Sequence, residues 1–283
     1  MATKKAASSA KKAPAKKQAT TKKAATVTTV KAVESRPAAT AVKTKTTVKS
    51  RKFSLSATPL PAAIAAEFIG TFIFAAIIVA VNGNPLYAFF GLTGVVLAVG
   101  AISGGYVNPA LVIGAWITKR MSGIRAIAYI VAQVLGAMLA LVVLNAFVDA
   151  GTPAATDAMT TMPQELAKAA ILPVGNEMWV LLSEFIGTLI FGFAVAGALR
   201  EKNDRTAAAF TVGLGIFIAL AIAGTVAGFI NASAILNPAV AISLQALSFT
   251  SVWPILVYVV GSSLGAIVGF VLYDYLRSAK QDA

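Results

Sequence analysis

Apolar positions dominate the chain from Leu60 onward, and they fall into six runs of the length that crosses a hydrocarbon core, about 20 residues each. The runs lie near Leu60 to Val81, Leu86 to Ser103, Ile124 to Phe147, Met178 to Leu199, Ala207 to Gly228 and Val252 to Leu276. The second is short and carries Gly91, Gly94 and Gly100, which suits close helix contact in lipid. Two further apolar stretches are too short to cross and are interrupted by one polar triplet. They read "SGGYVNPALVIGAW" at 103 to 116 and "NASAILNPAVAISLQAL" at 231 to 247.

The triplets predict helix starts. Asn is a favoured N-cap, and Pro suits the first helical position because it has no N–H to leave orphaned and its φ is already helical. About ten apolar residues follow each, giving roughly 15 Å of helix, half of a core about 30 Å thick. Neither segment spans alone, but two entering from opposite faces and meeting tip to tip make one composite crossing. Both tips then lie near the midplane, each with about half a positive charge from the helix dipole and with unpaired N–H donors. A cation is repelled there. The stretches leading in, "SGGYV" and "NASAIL", carry backbone that no helix satisfies, which is tolerated at that depth only beside a water-filled cavity or inside protein.

Entry from opposite faces follows from an internal repeat. "EFIGTFIF" at 67 to 74 returns as "EFIGTLIF" at 184 to 191, and "VNPALVIGA" returns as "LNPAVAISL". Each copy holds three full runs, an odd number, so the second copy is inverted in the membrane. The predicted fold class is an all-α membrane protein with six transmembrane helices and two opposed re-entrant half-helices. Repeat one covers about 60 to 147 and repeat two about 178 to 276, inside a channel-like domain from 56 to 283.

Composition narrows the chemistry. With 58% hydrophobic and 12% charged residues this is not an ordinary soluble domain. There is no Cys and no His, which removes disulfides, thiolates, imidazole metal sites and His-based acid–base catalysis. No metal, cofactor or enzymatic activity is expected.

The net charge of +13 belongs to one end. Residues 1 to 55 hold fifteen Lys and Arg against the single acid Glu34, and the remainder is nearly neutral. That Lys/Ala/Thr/Pro stretch lacks the apolar residues needed to offset ordering entropy and is expected to be disordered. It has no apolar run resembling a secretory signal. It reads first as a solvated, orientation-setting extension; the alternative is contact with the anionic leaflet or nucleic acid, at about 1 kcal/mol per basic residue near a lipid surface. If it is cytoplasmic, then Lys119, Arg120, Arg125, Arg200, Lys202, Arg205, Arg277 and Lys280 all fall on the inner side, as does each terminus of a multi-pass protein. The loop from about Val148 to Glu177, with four acids and one Lys, falls outside.

These residues resemble the aquaporin and aquaglyceroporin channels, the major intrinsic proteins, over essentially Leu60 to Leu276. The resemblance rests on "AEFIGTF", "SGGYVNPAL", "AQVLGA" at 132 to 137, the second Asn-Pro-Ala and "VGSSLGAIVG" at 260 to 269. It implies a homotetramer in which each protomer has its own pore for water and small neutral solutes. Asn108 and Asn237, held by Pro109 and Pro238, would be the amide donors that orient a passing solute and break the proton wire. Gly104, Gly105, Tyr106 and Val107, with Ala232, Ser233 and their neighbours on the other side, would supply inward carbonyls. Glu67 and Glu184, the only acids well inside spans, would brace the approach-loop backbone, with proton coupling as the alternative role, and Gln133 would assist.

One departure concerns selectivity. The family usually has Arg directly after the second triplet; here it is Val240. By spacing, the other filter positions fall near Ala88, at Thr225 or its neighbour Gly224, and at Ala234. A less polar constriction should reject larger solutes and cations less strictly. Two rival readings compete: an inverted-repeat secondary transporter, which saturable ion-dependent uptake would reveal, and a membrane tether acting through the basic tail, which deletion of residues 1 to 52 would disable.

Overall fold

The computed structural model describes residues 58–151, 165–248 and 251–279. The basic stretch from 1 to 55, with its expected disorder and its lipid or nucleic-acid contacts, lies outside the described residues. So does Lys280.

Six long helices form where the apolar runs predict them: α1 (Leu60–Ala80), α2 (Pro85–Ser103), α4 (Gly123–Gly151), α5 (Glu177–Ala198), α6 (Arg205–Gly228) and α8 (Trp253–Ser278). The shortest, α2 at 19 residues, still measures roughly 28 Å at about 1.5 Å per residue. Local chemistry sets the ends. Asn84 caps α2, its Oδ1 accepting from Leu86 N at 3.0 Å, with Pro85 in the first turn. Asp204 caps α6 by accepting from Ala207 N at 2.9 Å. Within α8 the residues Leu256–Gly261 form a wider π-turn.

The half-helices are α3 (Pro109–Ile117, 9 residues) and α7 (Pro238–Ser243, 6 residues). Both end by turning one residue left-handed, Lys119 at φ 58° and Gln245 at φ 56°. The following amides, Arg120 N and Ala246 N, then close back on Ala115 O and Ala241 O at 2.8 Å each. This closure makes α7 about 9 Å long, shorter than its apolar sequence predicts. The reason is local: the chain reverses at Gln245 before the apolar stretch is used up.

Packing follows the repeat. Within repeat one α1 packs on α4 and α2; within repeat two α5 packs on α8 and α6. Between repeats, α2 packs on α6, α3 on α8, and α7 on α4. Gly136 of α4 meets α1 so closely that a Cβ would collide with Phe68 O and lie 3.1 Å from Phe72 N. Its counterpart Gly265 of α8 meets Phe185 O and Leu189 N of α5 in the same way. The half-helices use equivalent contacts too: Gly114 of α3 lies against Ala266 of α8, and Ser243 Oγ of α7 donates to Ala137 O of α4 at 3.0 Å. Each half-helix is thus pinned to the last span of the other repeat.

Candidate functional site: a clasp of two half-helix tips

Asn108 and Asn237 both sit at N-caps in extended conformation, φ −156° and −150°. Asn108 Oδ1 accepts from Ala110 N at 2.9 Å. Asn237 Oδ1 accepts from Ala239 N at 3.0 Å and Val240 N at 3.4 Å. With each oxygen committed to its own helix, each amide nitrogen is turned toward the other repeat. Asn108 Nδ2 donates to Leu236 O at 2.8 Å, and Asn237 Nδ2 donates to Val107 O at 2.9 Å. An amide nitrogen has two hydrogens. One on each Asn closes the clasp, which leaves a second N–H per tip to donate elsewhere.

The clasp needs Val107 and Leu236 to present their carbonyls sideways, and both do so with left-handed backbone, φ 40° and 60°. For a β-branched Val this is a strained conformation, of order 1–3 kcal/mol. What holds it is the repeated "EFIG". Glu67 accepts from Tyr106 N at 3.0 Å and Val107 N at 2.8 Å. Glu184 accepts from Ile235 N, and from Leu236 N at 2.9 Å. Both carboxyls are fully buried, so they satisfy donors that neither helix nor water reaches. Three residues on, Gly70 and Gly187 make room for the strained side chains. A Cβ on Gly70 would come within 2.7 Å of Val107 Cγ1, and one on Gly187 would collide with Leu236. These two glycines were not singled out by sequence reasoning. Their recurrence inside the eight-residue repeat was the available signal.

The repeats differ in their second brace. Gln133 Nε2 donates to Glu67 at 2.7 Å. Its counterpart Ser262 instead donates to Tyr258 O at 2.7 Å and leaves Glu184 to the backbone amides. On the approach to α3, Tyr129 OH donates to Ser103 O at 2.9 Å and Ser103 Oγ accepts from Gly105 N at 3.1 Å. Gly104 and Gly105 adopt φ 101° and 65°, a bend that favours glycine. On the other approach, Ser233 Oγ accepts from Ala170 N of the 165–173 segment at 2.9 Å, and Ala169 N donates to Leu244 O at 2.9 Å.

The predicted filter positions separate into two groups. Ala234 and Val240 share one cavity of about 20 Å³, which is also lined by Phe74 and Ile78 of α1 and by Ile216 and Leu220 of α6. Ala88 is buried in α2 and does not line it, and neither does Thr225. Thr225 lies on an exposed face of α6 with its hydroxyl donating to Ala221 O at 2.7 Å. Its neighbour Gly224 continues the cavity-facing row Ile216, Leu220 at helical spacing, and a Cβ there would meet nothing within 4 Å. Among the described residues, no group of three or more acid, Cys or His side chains is placed to hold a metal.

Two half-helices joined at their tips inside an inverted repeat of six spans define a multi-pass membrane protein of the channel type. Comparisons with known proteins give the same class. The sequence profile of the major intrinsic protein family matches residues 54–273. The chain is 33% identical over 198 residues to aquaporin AqpM of Methanothermobacter thermautotrophicus, covering 67% of this chain and 74% of that one. It is 31% identical over 240 residues to aquaporin Z of Photorhabdus laumondii, covering 77% and 98%. The fold superimposes on the aquaglyceroporin of Plasmodium falciparum with a TM-score of 0.63 at 19% identity, covering 79% of this chain and 99% of that one. The chain belongs to the major intrinsic protein family, whose members are channels for water or small solutes rather than enzymes.

Proposed function

We propose that the protein is a passive channel for water and/or small uncharged solutes such as glycerol, with a path that passes the tips of α3 and α7. The observation that carries this reading is the reciprocal bond of each tip Asn to the other repeat, Asn108 Nδ2 to Leu236 O and Asn237 Nδ2 to Val107 O. It fixes two spare amide donors side by side where the helix dipoles point inward. A neutral molecule with a lone pair is oriented there, whereas a cation meets two positive helix ends. Carbonyls of Gly104, Gly105, Tyr106 and Val107 on one side, and of Ala232 and Ser233 on the other, accept the hydrogen bonds that such a molecule donates. Glu67, Gln133 and Glu184 hold those loops in place and are not proton carriers.

Val240 stands where the family usually has Arg, so this reading includes an atypical filter built around Val240 and Ala234, with Gly224 rather than Thr225 on the α6 side and without the buried Ala88. It also includes a homotetramer, with both termini on the cytoplasmic side and the basic tail against anionic lipid or nucleic acid. Full-length protein in vesicles, mixed in stopped flow with impermeant osmolyte, glycerol or urea, tests the channel. Flux of at least one neutral species above that of empty vesicles is expected, without saturation and without ion dependence. Saturable, ion-coupled flux, or none at all, would overturn it.

A further inference from the structure

The cavity beside Val240 has a property that the loss of an Arg alone does not produce. Every side chain lining it is hydrocarbon: Phe74, Ile78, Ile216 and Leu220 on the long helices, with Ala234, Ile235, Val240 and Leu244 from the α7 segment; Gly83 adds backbone alone. Its volume is about 20 Å³. A single water needs roughly 10–15 Å³ and two to four polar partners. The space therefore fits about one water and offers no side chain to bond it. The small residues at 234 and 240 do not open a wide passage, because the larger aliphatic side chains of α1 and α6 close on the same space. At the tips, Asn108 and Asn237 are themselves buried, 1% and 2% exposed.

Resting on the channel reading above, we propose that this cavity is a hydrophobic gate, set by Val240 and Leu220, that limits water flow. It ranks small neutral molecules by how little hydration they must shed on entering. A water arriving from the wet approach gives up hydrogen bonds that no side chain here replaces and only the backbone in the cavity wall can offer, so the gate spends time empty. Molecules that bond water weakly lose less on entry and cross with a smaller penalty. The position of the residue decides the effect. Val240 follows Asn237 by three residues, so it stands on the first turn of α7, next to the amide donors at the tip, and a polar group there would extend the wet path through the gate.

The test uses near-isosteric polar substitutions. Full-length wild type, Val240→Thr and Leu220→Asn are reconstituted in vesicles at equal protein content, and osmotic water flow is recorded by stopped-flow light scattering over a temperature range. Val240→Thr adds one hydroxyl at nearly constant volume, and one hydrogen bond to a trapped water corresponds to roughly a tenfold change in rate. Expected are a several-fold to tenfold rise in water flow per channel in both variants and a lower activation energy than wild type. A variant that only loosens the fold would show an earlier melting transition in detergent without a lower activation energy. If wild type already conducts water and neither substitution changes rate or activation energy, the gate is wrong while the channel stands. If no protein conducts anything above empty vesicles, the channel reading fails and the gate with it.

Discussion

Replacing Gly136 by Ala should weaken the fold and the pore together, whereas the same change at Gly265 should mainly weaken the fold. The two positions are repeat equivalents and have the same local problem. A Cβ at Gly136 would run into Phe68 O and stand 3.1 Å from Phe72 N; at Gly265 it would run into Phe185 O and stand 2.9 Å from Leu189 N. The obstruction is backbone in both cases, so it cannot rotate away and the helices must separate. Overpacking of this kind costs about 1–3 kcal/mol. The consequences differ between the repeats. Separation of α4 from α1 pulls Gln133, one turn before Gly136, from the Glu67 carboxyl it bonds at 2.7 Å. Leaving a buried polar group without its partner costs about 1–3 kcal/mol, and losing this bond frees the carboxyl that holds Tyr106 and Val107. Separation of α8 from α5 breaks no such bond, because Ser262 is already committed to Tyr258 O. Gly136→Ala should therefore melt below Gly265→Ala by an amount corresponding to about 2 kcal/mol, or about 4–8 °C for a domain of this size. Its water flow per folded channel should also fall by more. Thermal melting in detergent and stopped-flow permeability of the two variants in parallel would check this. Equal melting and equal flow would refute the claim that the Gln133 brace connects helix packing to the approach loop.

Three further outcomes are expected. Glu184→Ala should leave Ile235 N and Leu236 N without acceptors, at about 1–3 kcal/mol each, and should lower both the melting temperature and the permeability. Asn108→Ala and Asn237→Ala should each remove a short N-cap bond and a cross-repeat bond, worth about 1 kcal/mol apiece, and Asn237→Ala also a long cap bond of 3.4 Å, so both should melt below wild type with Asn237→Ala no higher than Asn108→Ala. Asp274→Asn should weaken the C-terminal ends of α3 and α5 against α8, since Asp274 Oδ1 meets Arg120 at 2.7 Å and Arg200 at 3.1 Å. Arg120 is only 13% exposed and stacked 4.7 Å from the Phe270 ring, so a loss of about 1–2 kcal/mol is expected, read by melting at low and high salt.

Much of the molecule follows from one-dimensional properties. Bilayer thickness and the need to satisfy every backbone group inside lipid allow long apolar runs to do little but form spans, so the six helices were legible from run length alone. Asn followed by Pro has so narrow a set of backbone roles that the two helix starts were legible as well. An odd number of spans per repeat fixed the inversion by counting. The tertiary structure decided where side chains face, because a continuous apolar run carries no period that marks one face from another. Spacing alone could not choose between Thr225 and Gly224; the packing of α6 on α2 and α5 turns Thr225 outward and leaves open space at Gly224. Nor could the sequence reveal that Gly70 and Gly187 house left-handed Val107 and Leu236, or that Val240 shares its space with Phe74 and Leu220. Those facts depend on distances between residues far apart along the chain, which only folding brings within reach of one another.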